Sequence, residues 1–411
     1  MKPSVLIIGA GPAGLVAALT LARHAPGVRI ALADRLPKAG VKLAATGGGR
    51  GNISHAATEE EFAAAFGKQG RFTLPAFRAL PPKAWRALLK KLGVDSFIDA
   101  SGRIYPAFES AAYVRDALVK ACRDGGVDWM PEHAVHSLLP PEQPEAPWQV
   151  DAMPWHTVLL SAGGRSAPSL GSDGSGFRLA QALGHELVPP VPALSALHTV
   201  ETWPAALSGL SIRNAGLTFD GNRQPPGVCG EILFTHHGLS GPAVLNFSGR
   251  VARKLQTEQP VRIRLSVLPE LPDFQALRRS HGTQRIGAWL SRQLPRALAD
   301  TLLDLSHLPA EQTFSRLSAP QQHALSLHLN ALPLSIRRTG AFAESMVTSG
   351  GVSLKNVRPD TLESRLCPRL YFAGEILDLD GPSGGYNLQW AAASGYLAGR
   401  SIAAYYEKEK T

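Results

Sequence analysis

Cysteine is scarce in this sequence: Cys122, Cys229 and Cys367 stand far apart and are odd in number. No Cys-x-x-Cys pair occurs, so neither a disulfide framework nor a zinc site is expected, and a reducing cytoplasm suits the chain. Charged side chains are also few, 18% of 411 residues, which excludes disorder driven by charge. Long apolar runs are missing. The longest are strand-length or sit in one short helix, far below the ~18 residues of a membrane span. Met1-Lys2-Pro3-Ser4 leads straight into a strand pattern, so neither a secretion signal nor a membrane partner is expected. Acidic residues are the minority, 33 against 42 basic, and the net charge of +9 favours anionic cofactors or nucleic acid. At roughly 150 residues per domain, the length predicts two or three domains.

What is present begins at the N-terminus. Val5-Leu6-Ile7-Ile8 is a short apolar run of the kind buried on both faces in a parallel sheet. Gly9, Gly11 and Gly14 follow in a Gly-x-Gly-x-x-Gly pattern that opens a helix from Ala13 to about His24. A second strand, Val28 to Ala33, ends at Asp34. Strand, glycine loop, helix, strand and acid at these spacings form a dinucleotide-binding unit. The first glycine permits the tight turn, the second lets backbone approach a pyrophosphate, and the third packs helix on strand. The helix N-terminus favours the phosphate charge. Asp34 is placed to accept the ribose hydroxyls.

The rest of the chain points to FAD rather than a tightly held nicotinamide. No second Gly-x-Gly-x-x-Gly appears, so NAD(P)H is expected only as a transient electron donor. The strand Leu370-Tyr371-Phe372-Ala373 is followed by Gly374-Glu375-Ile376-Leu377-Asp378, then by Gly384-Gly385-Tyr386-Asn387 opening a helix from about Leu388 to Ala404. That helix would aim free N–H groups around Tyr386–Gln389 at the cofactor, favouring negative charge on a reduced flavin. A middle strand, Val158 to Ala162-Gly163-Gly164, resembles the pyrophosphate-side crossover of two-dinucleotide-fold flavoproteins. His133-Ala134-Val135 lies where such enzymes place a backbone contact to adenine.

Several further motifs occur in order: Thr46-Gly47-Gly48-Gly49-Arg50-Gly51-Asn52, Gly102-Arg103-Ile104-Tyr105-Pro106, Gly171-Ser172-Asp173-Gly174-Ser175-Gly176, Phe234-Thr235-His236-His237-Gly238-Leu239-Ser240-Gly241-Pro242 and Ser349-Gly350-Gly351-Val352. With the Gly374–Gly399 block they resemble the BaiN/RdsA (YhiN-like) FAD-dependent oxidoreductases along nearly the whole chain. The resemblance implies an α/β fold: a Rossmann-type FAD domain built from both termini, a β-barrel-like insertion and a small helical domain. The FAD domain is expected at 1–190 and 335–411, the β-rich substrate domain at 191–270 and 323–334, and a helical cap at 271–322. Within the FAD domain, residues 55–110 read as an inserted, mainly helical excursion, with Trp85, Leu88, Leu89 and Leu92 at helical spacing.

The resemblance also assigns cofactor contacts to Arg35, Lys42, Gly48, Gly49, Asn52, Ala162, Gly163, Gly374, Glu375, Asp378, Gly385, Asn387 and Leu388, beside Val135. One departure stands out. The family loop usually carries a cysteine before the asparagine, and Gly51 occupies that position here, so a cysteine-based mechanism does not transfer. The expected catalytic residues are His236 and His237, a residue type suited to proton transfer, Arg50 on the glycine-rich loop, and Tyr386. Gly-Leu-Ser-Gly-Pro brushes against a hydrolase elbow, but Pro242 stands where the last glycine belongs. His133 and His136 lack further ligands, so no metal is expected.

The expected reaction is reduction of an electron-poor C=C, in an enone or a uracil ring. Alternatives are an amine or aminoketone oxidase using O2, and a flavin-bearing RNA-binding factor. Arg278, Arg279, Arg285, Arg292 and Arg296 give the helical segment a basic surface suited to rRNA.

Overall fold

The structure, a computed structural model, describes residues 2–143, 145–221, 227–268 and 270–408. The outermost ends of the expected FAD domain, residues 1 and 409–411, lie outside the described residues. The chain divides into two compact units, Met1–Val191 with Met346–Thr411, and Pro192–Ser345.

In the first unit, Ser4–Ile8 is the central strand of a five-stranded parallel sheet. The order is Leu370–Phe372, Thr157–Leu160, Ser4–Ile8, Arg29–Ala33, Asp128–Met130. Val5, Leu6 and Ile7 have no exposed surface, as a strand covered on both faces requires. Leu159 pairs with Tyr371, so both ends of the chain contribute to one sheet.

Helix Pro12–His24 begins on Gly11 with proline in its first turn, where a missing N–H costs nothing. The long helix Tyr386–Lys408 crosses it, and missing side chains set the distance. A Cβ on Gly395 would sit 2.2 Å from the Ala13 carbonyl oxygen, and one on Gly399 would sit 2.9 Å from that of Ala17. Residues four apart share a helix face, so the two glycines open one continuous groove.

The excursion contains helices Glu59–Ala65, Gly70–Ala79 and Pro82–Lys91. Trp85 and Leu89 are buried on the helical spacing that predicts them. A small antiparallel sheet, Ser54–His55, Arg103–Pro106 and Ser96–Ile98, brings the ends of the excursion together.

The second unit is a closed antiparallel barrel of six strands, in the order Leu197–Thr199, Gly238–Ser240, Val228–Thr235, Ser211–Phe219, Val261–Ser266, Leu332–Thr339. The runs Leu210–Phe219, Gly230–Thr235 and Val261–Val267 mark three of these strands. The other three are too short, or too mixed in composition, to stand out. Helix Pro242–Lys254 also belongs to this unit. Helices Phe274–Ser280, Ile286–Gln293, Arg296–Leu305 and Ala319–Asn330 bury Leu290, Leu298, Leu302 and Leu325 in the same core as barrel residues Leu265 and Leu334. The helical segment therefore shares a core with the barrel. Because Leu332–Thr339 closes the barrel, the chain re-enters the first unit at Met346 rather than at 335. Among the described residues, no helix is long and apolar enough to cross a membrane.

The helix crossing is testable. Gly395→Ala forces a methyl against backbone and should destabilise the first unit by about 1–3 kcal/mol, read by urea unfolding. Gly399→Ala, with more room, should cost less.

Burial also holds the imidazoles of His185, His198 and His328 below the ordinary histidine range. A lowered folded-state value means that the unfolded chain binds protons first. Stability is then full above the unfolded value of about 6.5 and falls as pH drops below it. The urea midpoint should decrease between about pH 7.5 and about pH 5.5, and an unchanged midpoint would contradict this.

Candidate functional site

The three N-terminal glycines have distinct surroundings. Gly9, at φ +103°, lies so close to the neighbouring strand end that a Cβ would be 2.5 Å from the Ser161 carbonyl oxygen. Gly14 lies over Gly9, and a Cβ there would be 2.0 Å from the Gly9 oxygen. The Ser161 hydroxyl ties the two strand ends together by donating to the carbonyl of Gly9 at 2.9 Å. Gly11 is different: nothing lies within 4 Å of where its Cβ would be. Two glycines thus serve packing within the protein, while the third borders open space at the N-terminus of helix Pro12–His24. Ala162 and Gly163, the latter at φ +73°, continue the same rim beside Gly9.

Asp34 stands at the end of its strand, as expected. Its carboxylate accepts the N–H of Ala10 at 2.7 Å and of Leu36 at 2.9 Å, so it also shapes the loop around the glycines. Arg35 pairs with Asp173 at 2.5 Å, joining the loop to the Gly171–Gly176 motif. The His133 N–H donates to the Asp34 carbonyl at 2.8 Å, and Val135 beyond it is buried. Among the described residues the His133 Nε2 is buried without a partner.

A second cradle forms where two distant glycine-rich segments meet. Gly47, Gly48, Gly49 and Gly51 all have positive φ, and Gly48 and Gly49 border open space. Gly51, at φ +78°, backs onto Ala111, whose Cα would be 2.9 Å from a Cβ. The loop therefore has no room here for the family's cysteine side chain. The other segment is the turn before helix Tyr386–Lys408, with Gly384 at φ +116° and Gly385 at φ +100°. A Cβ on Gly385 would be 2.2 Å from the Ser54 carbonyl oxygen and 2.7 Å from Asn52 Oδ1. That Oδ1 is buried and has no partner among the described residues.

Polar bonds lock the turn in place. The Ser54 hydroxyl donates to Gln389 Oε1 at 2.6 Å, and Gln389 Nε2 donates to the Leu80 carbonyl at 2.6 Å. The Asn387 side chain is taken up by Gly381 and Pro382, leaving its backbone N–H as the group able to meet a cofactor. The Gln389 N–H bonds to the Gly385 carbonyl, so the N–H groups of Tyr386, Asn387 and Leu388 are the orphan donors of the helix end.

Behind the cradle, Lys42 Nζ pairs with Glu375 Oε2 at 2.8 Å, both largely shielded from solvent. Glu375 Oε1 also accepts the Thr348 N–H at 2.8 Å. These two expected cofactor residues neutralise each other. Asp378 is buried, and its carboxylate accepts Gln69 Nε2 at 2.5 Å. Gly374 sits against Ala13, 3.0 Å from its Cβ by the same measure.

The expected catalytic residues fall in two places. Tyr386 is half-buried at the glycine turn, and burial and the Glu61 carboxylate push its phenol above the usual range, so it is a proton-bearing donor at neutral pH. Arg50 is exposed, pairs with Glu109 and lies 4.6 Å over the Tyr105 ring. His236 and His237 form the exposed two-residue tip of the barrel hairpin between Thr235 and Gly238. Ser240 does end a strand that leads into a helix, but the strand is antiparallel and belongs to the barrel, unlike a hydrolase elbow.

Sequence reading missed two histidines. His198 is buried in the barrel and stacks on His237 at 5.2 Å. His55 stacks on Tyr386 at 4.7 Å. His55 follows the glycine-rich loop by three residues, a signal available in the sequence. His198 carried none.

The residues present fit FAD. Open space fronts Gly11, Gly48 and Gly49, two buried polar atoms await partners, and two helix N-termini offer free N–H groups, the arrangement an extended dinucleotide with a flavin head requires. The fold and cradle define a Rossmann-type dinucleotide-binding protein. The chain matches the family model described as "HI0933-like protein Rossmann domain" over residues 3–401, and so belongs to that family of FAD-dependent oxidoreductases. It is 32% identical to a 3-dehydro-bile acid delta(4,6)-reductase of Clostridium scindens, over 97% of this chain and 98% of the relative. It is 29% identical to a ribosomal RNA dihydrouridine synthase of Escherichia coli, over the same shares. The 3-ketosteroid delta1-dehydrogenase structure from Sterolibacterium denitrificans, at 13% identity, shares the fold with a TM-score of 0.54, covering 98% of this chain and 99% of that one.

The glycines make a paired prediction. Nothing lies within 4 Å of a Cβ at Gly11, so Gly11→Val should fold with near-normal stability yet be purified without bound flavin. Gly14→Val collides with backbone and should fail to fold stably. A yellow Gly11→Val protein would contradict the assignment.

Proposed function

We propose that this protein is a reductase that saturates a C=C conjugated to a carbonyl, in an enone or a uracil ring. The observation that carries this reading is the cradle at Gly384–Leu388, where a helix N-terminus with three free N–H groups closes over the glycine-rich loop. Such an end favours negative charge, which a flavin ring carries in its reduced state. The names of the two relatives agree with the reading, since each denotes reduction of such a bond.

When bound and reduced, FAD supplies a hydride from N5 to one carbon of the C=C, and a side-chain acid supplies the proton to the other. Residues of this chain provide the remainder. Gly11 and the end of helix Pro12–His24 would hold the pyrophosphate, and Asp34 would receive the ribose. Tyr386 would donate a hydrogen bond beside the ring, Arg50 would orient the substrate carbonyl, and His236 or His237 would be the proton donor. No thiol of the glycine-rich loop takes part, because Gly51 stands there. In this reading the first unit is the FAD domain, the barrel is a substrate domain, and the helical segment is its cap.

The substrate is a small molecule or an RNA base. Three of the five arginines expected to meet RNA are engaged within the protein: Arg278 with the Phe314 and Leu317 carbonyls, Arg285 with Glu311 and Arg296 with Asp300. An rRNA contact there rests on Arg279 and Arg292 together with Arg285 and Arg296, whose surface pairs leave them exposed.

Anaerobic stopped-flow tests the reading. NADH or NADPH should bleach the flavin, and a conjugated steroid enone or a uridine-containing RNA should restore its colour faster than O2 does. Bleaching by amines but not by NAD(P)H would replace the reductase with an oxidase.

A further inference from the structure

We propose that His55 is a positioning residue that locks the Gly384–Gly385 peptide, so that this turn presents an N–H rather than a carbonyl oxygen to the flavin ring. The proposal rests on the reading that the Gly384–Leu388 cradle receives the flavin.

The His55 Nδ1 lies 3.0 Å from the Gly384 carbonyl oxygen. A carbonyl only accepts, so Nδ1 carries the proton and donates. The ring is held on its other sides as well. Its face stacks on Tyr386 at 4.7 Å with 20° between the planes. Its Nε2 is backed by Gly102, where a Cβ would be only 2.9 Å away. The His55 backbone is paired with Arg103 in the small sheet.

The peptide between Gly384 and Gly385 needs such a lock. Both residues have positive φ, and neither has a side chain to restrict rotation of the plane between them. In a trans peptide the C=O of one residue and the N–H of the next point in opposite directions. Holding the Gly384 carbonyl on His55 therefore fixes the Gly385 N–H on the opposite side. Rotation of the plane would exchange a donor for an acceptor. The Ser54–Gln389 and Asn387–Gly381 bonds hold the flanks of the turn, but neither touches this peptide. A donor stabilises the anionic reduced ring and an acceptor opposes it. His55 thus raises the flavin reduction potential without touching the substrate.

The test measures the potential and visible spectrum of FAD-loaded protein. His55→Phe keeps an aromatic ring against Tyr386 but loses the donor, and His55→Asn keeps an amide donor near the Nδ1 position. His55→Phe should shift the potential negative and alter the flavin absorption bands, while His55→Asn should return both toward the wild type. A His55→Phe potential and spectrum equal to wild type would overturn the inference. Nitrogen NMR of the wild-type apoprotein gives an answer independent of the variants: His55 should be found as the Nδ1–H tautomer, and the Nε2–H tautomer would overturn the inference. Wild-type protein that binds no FAD would instead remove the functional reading on which the inference rests.

Discussion

Backbone meets backbone at a few glycines, and the cofactor cradle depends on those contacts. Helix Pro12–His24 is held on one side by Gly14 over the Gly9 carbonyl and on the other by Gly395 over the Ala13 carbonyl. The first contact sets the helix on the central strand and aims its N-terminus at the rim beside Gly11. The second seats the C-terminal helix, whose own N-terminus forms the other cradle. A single added methyl at either place meets main-chain oxygen, which has no rotamer by which to yield.

The same principle joins segments far apart in the chain. Gly385 lies on Ser54, and Gly51 lies on Ala111. The loop Thr46–Asn52 and the turn before Tyr386 therefore form one surface, although more than half the chain separates them. Much of the polar chemistry around this surface is internal: Lys42 with Glu375, Asp378 with Gln69, and Asn387 with Gly381. Side chains build the frame, and backbone N–H groups are left to face an anionic ligand. A protein that binds pyrophosphate in this way needs little net positive charge at the site, so the +9 is not explained by FAD.

Much of the Rossmann unit was legible in the sequence because its signals are local. Val5–Ile8, the three glycines and Asp34 lie within a short stretch and have one structural solution. The C-terminal glycines were equally legible as loop formers. What they touch was not, since the Gly385–Ser54 contact depends on tertiary packing across the chain. Gly395 and Gly399 carry a readable four-residue spacing, yet they sit in a helix whose apolar pattern does not single them out. The barrel was half legible: short β-like runs marked three strands, but Leu197–Thr199 and Gly238–Ser240 owe their state to pairing with neighbours. His198 was invisible, because a lone histidine in a short strand says nothing about which way it faces. The helical segment looked separable, but the shared core of Leu290, Leu302 and Leu334 and the hydrogen bond from Ser266 to Asn330 tie it to the barrel.

The central claim is that four separated backbone segments receive one FAD molecule. Amide hydrogen exchange, compared with and without FAD, tests it most directly. The account predicts slowed exchange in all four: 9–14, 46–54, 161–164 and 374–389. Protection confined to the first, with the other three unchanged, would contradict it.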